Sequence, residues 1–225
     1  MEKLRKFIVN LKVAGKLKAY RVTVLTMTVF LVAVALISTL VIRSNVKRIT
    51  AVWSPAIGYI QELETLTTEY RVKQYQHLVE SDAAVMAACE KEIESIAGQI
   101  TENCKALSEI INADAEAQKG QADYDKAIAA WEDYKSFSEE IIRLSTAGKQ
   151  AEASDIMTGS AYEKYTSFRN VFSTLRDEFQ VELDSSKLAA NVCTVIIFIV
   201  ISAAGIAIAV ATTFIGKVIT NSIIE

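Results

Sequence analysis

Residues 44–80 carry apolar and amphipathic side chains at alternating intervals of four and three. The positions that keep this spacing are Ile49, Trp53, Ala56, Ile60, Leu63, Thr67, Tyr70, Gln74 and His77. Side chains spaced in this way lie on one face of an α-helix. The first five are apolar and the last four, within LTTEYRVKQYQH at 66–77, are polar or amphipathic. Either this end of the helix leaves the core, or its face lines a site for a polar molecule.

The same spacing predicts three more helices between residues 82 and 190. The second helix, at about 82–118, has the core-facing residues Val85, Cys89, Ile93, Ile96, Ile100, Asn103, Leu107 and Ile110. We expect Gly120 to cap its C-terminus. The third, from about Asp123 to Gly148, turns inward Tyr124, Ile128, Trp131, Tyr134, Ile141 and Leu144. The fourth begins near residue 161 and turns inward Tyr165, Phe168, Phe172, Leu175, Phe179 and Leu183.

Short connections make consecutive helices antiparallel neighbours. The sequence therefore predicts an all-α fold, an up-down-up-down four-helix bundle. Pro55 lies near the start of the first helix, where its ring and its missing N–H predict a kink or a break.

Two apolar runs without a charge flank the bundle, at residues 22–42 and 192–215. Each has about 20 residues or more, which is long enough for a helix to cross a bilayer. The first run exceeds the apolar core of a cleaved signal peptide, and no clean cleavage site precedes Arg43. We therefore expect a retained anchor, with transmembrane helices at 22–43 and 191–215.

The charges predict an orientation in the membrane. Residues 1–21 hold seven lysines and arginines against one acid, which places this end in the cytoplasm. Two crossings return residues 216–225 to the same side. The segment 44–190 then lies outside the cytoplasm, with 15 lysines and arginines against 25 aspartates and glutamates, a net charge of −10. That balance argues against a nucleic-acid partner.

Residues that could carry chemistry are sparse. Cys89 and Cys104 fall on one helix about 22 Å apart, which is too far for a disulfide. There is one histidine, so no cluster has metal-ligand spacing, and neither a hydrolase pattern nor a phosphate-binding glycine loop is present. We therefore predict no catalytic residue, no metal and no cofactor, and a protein that is not an enzyme.

The order of segments resembles the sensor half of bacterial methyl-accepting chemotaxis proteins. A basic stub, one span, an acidic bundle and a second span follow one another, and the bundle resembles the ligand-binding domain of that family. The short elements that carry the likeness are YRVKQYQHLVE, AWEDYKSF and LSTAGKQAEASDIM. The tail IGKVITNSIIE resembles the first helix of a HAMP linker.

This resemblance implies a multi-pass protein of the inner membrane with a periplasmic sensor domain. It further implies a homodimer that binds a small metabolite, such as an amino acid or an organic acid, and signals inward through the last helix. Histidine kinases and diguanylate cyclases use the same bundle, so the output module and its cytoplasmic partners, expected beyond residue 225, stay open. A sensor that reads a binding protein and a structural bundle without a ligand are the rival interpretations.

Counting along the helices predicts a carboxylate site far from the membrane. At 1.5 Å per residue, Arg71 lies about 42 Å above Arg43, level with the fourth helix near Glu163. Guanidinium groups bind carboxylates through two hydrogen bonds, and family sites generally use arginines in this half of the bundle. The predicted ligand-binding residues are Thr67, Tyr70, Arg71, Gln74, His77, Tyr134, Arg143, Tyr162, Thr166 and Arg169.

Each candidate has a plainer interpretation. Arg71 could belong to a solvated face, and His77 could be a hydrogen-bonded residue at the end of the core. Tyr134 with Trp131 could be core packing. Arg169 and Arg176 could pair with acids across the bundle.

Overall fold

The computed structural model describes residues 13–224, and every element in that range is helical. Its α-helices are α1 (Val13–Arg48), α2 (Ser54–Val79), α3 (Ala83–Ala113), α4 (Gln121–Thr146), α5 (Gln150–Thr158) and α6 (Ser160–Ile224). A π-helical turn (Ile49–Trp53) joins α1 to α2, and a 3-10 turn (Ala117–Gly120) precedes α4. The all-α fold class is confirmed. The first twelve residues of the predicted basic stretch (1–21) lie outside the described residues.

The chain divides into two compact units, Lys47–Ser186 and the pair of segments Met1–Val46 and Lys187–Glu225. The first unit is a four-helix bundle formed by α2, α3, α4 and the N-terminal part of α6, with the short α5 packed on α4. Its core is one continuous cluster of buried side chains from all four helices, including Ile60, Ile100, Trp131 and Phe168.

In the second unit, α1 and α6 are each long and apolar enough to cross a membrane. Their large apolar side chains are exposed, as at Phe30 (63%), Leu40 (66%) and Phe198 (70%). Within this unit the Tyr20 hydroxyl lies 3.1 Å from Thr212 Oγ1. An unburied apolar surface on both helices fits a membrane protein.

The helix is locally widened before Pro55, where the sequence predicts a kink or a break. The N–H of Ser54 donates to the carbonyl oxygen of Ile49, five residues earlier, and Pro55 lies in the first turn of α2. A proline has no N–H and its ring crowds the carbonyl of the preceding turn. One wider turn accommodates it, so the helical path continues without a break.

The core-facing positions of the first and fourth bundle helices are buried, except for Ile49, which is partly buried. Three of those predicted on α3 are not buried, and the first of these, Val85, is 37% exposed. Cys104 and Ile111 are buried, whereas the predicted Asn103 and Ile110 are only partly buried. From Cys89 onward the buried residues of α3 repeat every 11 residues. That repeat, about 3.67 residues per turn, is close to that of a straight α-helix, whereas the prediction used a strict seven-residue repeat.

The prediction that Gly120 caps the second helix is also wrong. Helix α3 ends at Ala113, and Asp114 Oδ1 accepts hydrogen bonds from the N–H groups of Glu116 (2.9 Å) and Ala117 (3.3 Å). An added Cβ at Gly120 would lie 2.5 Å from Leu175 Cδ1. Gly120 is therefore required for close packing against α6. Gly148, with φ of +76°, follows the end of α4 as expected.

Candidate functional site

The polar end of the first bundle helix is buried. Thr67, Gln74 and His77 are 0% exposed, Tyr70 is 2% exposed and Arg71 is 8% exposed. This end does not leave the core, and Arg71 does not lie on a solvated face. Buried polar groups require hydrogen-bond partners, so the question becomes whether the bundle supplies all of them.

The bundle supplies hydrogen-bond partners for the two buried tyrosines, Tyr70 and Tyr134. The Tyr70 hydroxyl donates to Ser138 Oγ at 2.8 Å, and the Tyr134 hydroxyl donates to Gln74 Oε1. Burial raises the pKa of Tyr70 to about 12. Burial also raises the pKa of Tyr134, and the nearby Arg71 guanidinium partly offsets that effect. Both phenols are therefore neutral donors, and their rings pack edge to face with 5.8 Å between centroids.

His77 is also fully engaged within the bundle. Its Nδ1 lies 3.1 Å from Ser145 Oγ, and its Nε2 lies 3.1 Å from Glu90 Oε1. Ser145 Oγ donates to the His77 carbonyl oxygen at 3.2 Å, so it can only accept from Nδ1, and a carboxylate can only accept. His77 thus links α2 to α3 and α4, and neither ring nitrogen is left for a ligand.

Arg71 is a different case, because its charge has no carboxylate partner among the described residues. Its Nη2 donates to the Met157 carbonyl oxygen (2.9 Å) and the Tyr75 hydroxyl (3.1 Å). Its Cζ lies 4.9 Å from the ring centroid of Tyr165 and 5.1 Å from that of Tyr162. Cation–π contacts stabilise a guanidinium, but they do not neutralise it.

Two buried donors in this layer lack a hydrogen bond of good geometry. They are Nη1 of Arg71 and Nε2 of Gln74. An unpaired buried polar group costs about 1–3 kcal/mol, and more when it is charged. The excess of donors over acceptors at this end of the bundle favours an anionic or electron-rich partner.

A groove of about 300 Å³ opens beside this layer, next to the Tyr162 and Tyr165 rings. It is lined by Glu64 of α2 and by residues of α6, namely Tyr162, Tyr165, Thr166, Arg169, Asn170, Ser173 and Arg176. Arg169 Nη1 donates to the Tyr165 hydroxyl at 3.2 Å. Arg169 has no ion pair with any described residue. Arg176, in contrast, donates to Glu64 Oε2 at 2.7 Å and to Ser173 Oγ at 3.0 Å.

The structure brings most of the predicted site residues together at one end of the bundle, in two adjoining sets. Thr67, Tyr70, Gln74, His77 and Tyr134 are buried in the core, where Tyr134 with Trp131 forms core packing. Tyr162, Thr166 and Arg169 line the groove. Arg71 lies between the two sets, in contact with Tyr162.

Arg143 is not brought to the other candidates. Its side chain is 65% exposed on α4 and forms two hydrogen bonds with Glu140, at 2.7 and 2.6 Å. This interaction lowers the pKa of the Glu140 carboxyl, and it occupies the donor pair that a ligand carboxylate would need. The expectation that Arg176 pairs with an acid across the bundle is met by Glu64, but Arg169 has no such pair among the described residues.

Glu64, Asn170 and Ser173 were missed by the sequence reasoning. The signal was present, because counting 21 residues up from Arg43 to Glu64 reaches the same height as 21 residues up from Asn191 to Asn170. The prediction concentrated on the polar core-facing residues 66–77. Glu64 lies beside that face and just below it, so its position facing α6 was not considered.

Comparison with known proteins identifies the family. The chain matches the four-helix-bundle sensory module for signal transduction over residues 10–192. It therefore belongs to this sensory-module family of methyl-accepting chemotaxis proteins. A search of curated proteins gave no match. The module serves signal transduction and is not itself catalytic, and the two apolar helices agree with a membrane-associated sensor.

Proposed function

We propose that this chain is the sensor region of a transmembrane chemoreceptor that binds a small carboxylate or amino acid in the periplasm. Its proposed segments are a cytoplasmic stretch (1–21), a transmembrane helix (22–43), the sensor domain (44–190), a second transmembrane helix (191–215) and the start of a HAMP-like helix (216–225). The compact unit Lys47–Ser186 and the exposed apolar surfaces of α1 and α6 support this division. The receptor would lie in the inner membrane and act in chemotaxis.

The observation that carries the proposal is a pair of cations without carboxylate partners beside a ligand-sized groove. Arg71 and Arg169 both contact the Tyr165 ring, with their Cζ atoms 4.9 and 5.6 Å from its centroid. Neither forms an ion pair within the described residues. A carboxylate bound by Arg169 would supply the missing charge, because a guanidinium pairs with a carboxylate through two parallel hydrogen bonds.

The route of the signal follows from where the groove residues lie. All of them except Glu64 belong to α6, and α6 runs without interruption from Ser160 to Ile224. A ligand that binds α6 and α2 with different affinity in two states shifts the population toward the better-binding state. We infer that a small displacement of α6 relative to α2 is transmitted along this helix, with a coupling energy of about 1–3 kcal/mol. A homodimer is the expected signalling unit.

The direct test is ligand-induced stabilisation of the full chain in lipid nanodiscs. We would measure its melting temperature against a panel of organic acids and amino acids. A ligand at 100 times its dissociation constant stabilises the folded state by about 2.7 kcal/mol, which is visible as a higher melting temperature. Arg169→Ala should lower the affinity at least tenfold, because it removes the unpaired cation of the groove.

Two further variants make this test specific. Lys105→Ala removes a cation from an exposed position of α3 and should leave the affinity unchanged. Arg143→Ala decides separately whether that residue contributes. A panel in which no compound stabilises the folded chain would contradict the proposal, and it would favour a protein partner or a structural role.

A further inference from the structure

Glu64 is the one carboxylate among the residues lining the groove, beside the two guanidiniums of Arg169 and Arg176. It is paired with Arg176 at 2.7 Å, and Arg176 also lies 3.4 Å from Asp177 Oδ1, so this guanidinium is already shared between two carboxylates. Arg169 keeps its full positive charge. The groove therefore presents an unpaired guanidinium on α6 and, on α2, a carboxylate with one oxygen already bonded.

Only one oxygen of Glu64 is occupied by its partner. Arg176 Nη1 bonds to Oε2, and Oε1 has no hydrogen bond with any of the residues that the structure describes. The Glu64 side chain is 17% exposed, and this residue lines the groove. A carboxylate oxygen can only accept hydrogen bonds, so Oε1 suits a donor on the ligand, and a cationic donor best.

The threonine and serine hydroxyl groups that line the groove already have hydrogen-bond partners within α6. Thr166 Oγ1 donates its hydrogen to the Tyr162 carbonyl oxygen at 2.8 Å. Ser173 Oγ already accepts from Arg176. The strongest free donor is thus the remainder of the Arg169 guanidinium, and the strongest free acceptor is Glu64 Oε1. A volume of about 300 Å³ is at the small end of ligand pockets.

We propose that Glu64 is a specificity-determining residue that selects ligands carrying an ammonium group as well as a carboxylate. In this arrangement the ligand carboxylate pairs with Arg169 and its ammonium donates to Glu64 Oε1. The inference rests on the proposed function and narrows it from carboxylates in general to amino acids. A plain carboxylate leaves Oε1 unpaired and places a second negative charge beside it, and both effects weaken binding.

The test compares ligands that differ only at the amino group. The probes are alanine, lactate and propionate, and phenylalanine, phenyllactate and 3-phenylpropionate, together with leucine, 2-hydroxyisocaproate and 4-methylpentanoate. Dissociation constants for the full chain in nanodiscs are measured by calorimetry. In at least one of the three sets we expect the amino acid to bind at least tenfold more tightly than the des-amino acid, which has hydrogen in place of the amino group. In Glu64→Gln this ratio should fall close to one, while the des-amino acid binds as well as before or better.

Two further variants serve as controls. Glu94→Gln makes the same substitution at an exposed position of α3 and should leave the ratio unchanged. Glu64→Gln combined with Arg176→Gln removes both charges of the pair, so no unpaired guanidinium is left to disturb folding. This double variant should also lose the preference for the amine.

The outcomes separate this inference from the function it rests on. If carboxylates bind through Arg169 but the ratio is near one in the unsubstituted chain, or is unchanged by Glu64→Gln, Glu64 does not select the ligand and the proposed sensor function stands. If Glu64→Gln weakens amino acid and des-amino acid equally, its role is structural and the inference fails. If none of the nine probes nor any compound of the wider panel binds, both proposals fail.

Discussion

Arg71 is a buried residue whose positive charge is not neutralised by any described residue of the core. The residue is 8% exposed, and its guanidinium contacts tyrosine rings and a carbonyl oxygen but no carboxylate among the described residues. Removing a charge from water costs several kcal/mol unless it is paired. The adjacent Arg169 is unpaired as well. Because neither guanidinium has a carboxylate partner among the described residues, this layer favours the binding of an anion.

The buried acids Cys104 and Tyr70 lead to a prediction about alkaline pH. Burial raises the pKa of the Cys104 thiol from 9.0 to about 12 and that of the Tyr70 phenol from 10.0 to about 12. In the unfolded chain these groups lose their protons at lower pH than in the folded chain. The stability they contribute is thus complete below about pH 9 and is lost as the pH rises toward about 12.

We expect the melting temperature of the full chain to fall steadily above pH 9. Each such group contributes a slope of up to about 1.4 kcal/mol per pH unit inside its window. Cys104→Ala should reduce the loss between pH 9 and 10, where the phenols of the unfolded chain are still largely protonated. An equal loss in that interval with and without Cys104 would show that the thiol does not cause it.

At the scale of the elements, glycines with different surroundings provide a matched pair. A Cβ at Gly120 would lie 2.5 Å from Leu175 Cδ1 and 3.1 Å from Phe179 Cε1, whereas a Cβ at Gly98 would meet nothing within 4 Å. Gly120→Ala should destabilise the fold by about 1–3 kcal/mol through overpacking against α6. Gly98→Ala, inside α3, should stabilise it by about 0.5–1 kcal/mol through helix propensity.

Chemical denaturation of the two glycine variants checks both signs in one experiment. Each effect is read from the midpoint at unchanged slope. If Gly120→Ala were as stable as the unsubstituted chain, the contact between the turn at 117–120 and α6 would not be tight.

The bundle and its core-facing residues could be predicted from spacing because helix geometry is local. Phe168, Phe172 and Leu175 are buried as their spacing requires. The end of α3 could not be predicted in the same way. There Asp114 caps the following turn, and Gly120 is required by a contact with Leu175, 55 positions later in the chain.

The candidate site was partly predictable for the same reason. Counting along the helices placed Arg71 level with Tyr162 and Tyr165, and its guanidinium contacts both rings. The pairing of charges is not local, however. Glu140 engages Arg143 from one turn away, and Glu64 engages Arg176 from another helix. Which arginine remains unpaired depends on these contacts, and the spacing of residues does not contain that information.

At the scale of the whole molecule, the bundle unit leaves an apolar strip on its first helix. Val72 is 57% exposed, Tyr75 is 37% exposed and Val79 is 80% exposed, and intervals of three and four residues place them on one face of α2. Exposed apolar patches of this kind commonly mark interfaces. The same end of α2 contributes Arg71, so a partner on this strip would lie beside the candidate site.

The proposed homodimer can therefore be tested by placing charge on this strip. Val72→Lys combined with Val79→Lys should weaken self-association at least tenfold, because a dimer interface would bury two unpaired cations from each subunit. Ala129→Lys adds a charge at an exposed position of α4 and should leave association unchanged. Sedimentation equilibrium of the full chain in detergent measures both. If the double variant associates as strongly as the unsubstituted chain, this face of α2 lies outside the dimer interface, and a ligand at Arg169 would act within one bundle.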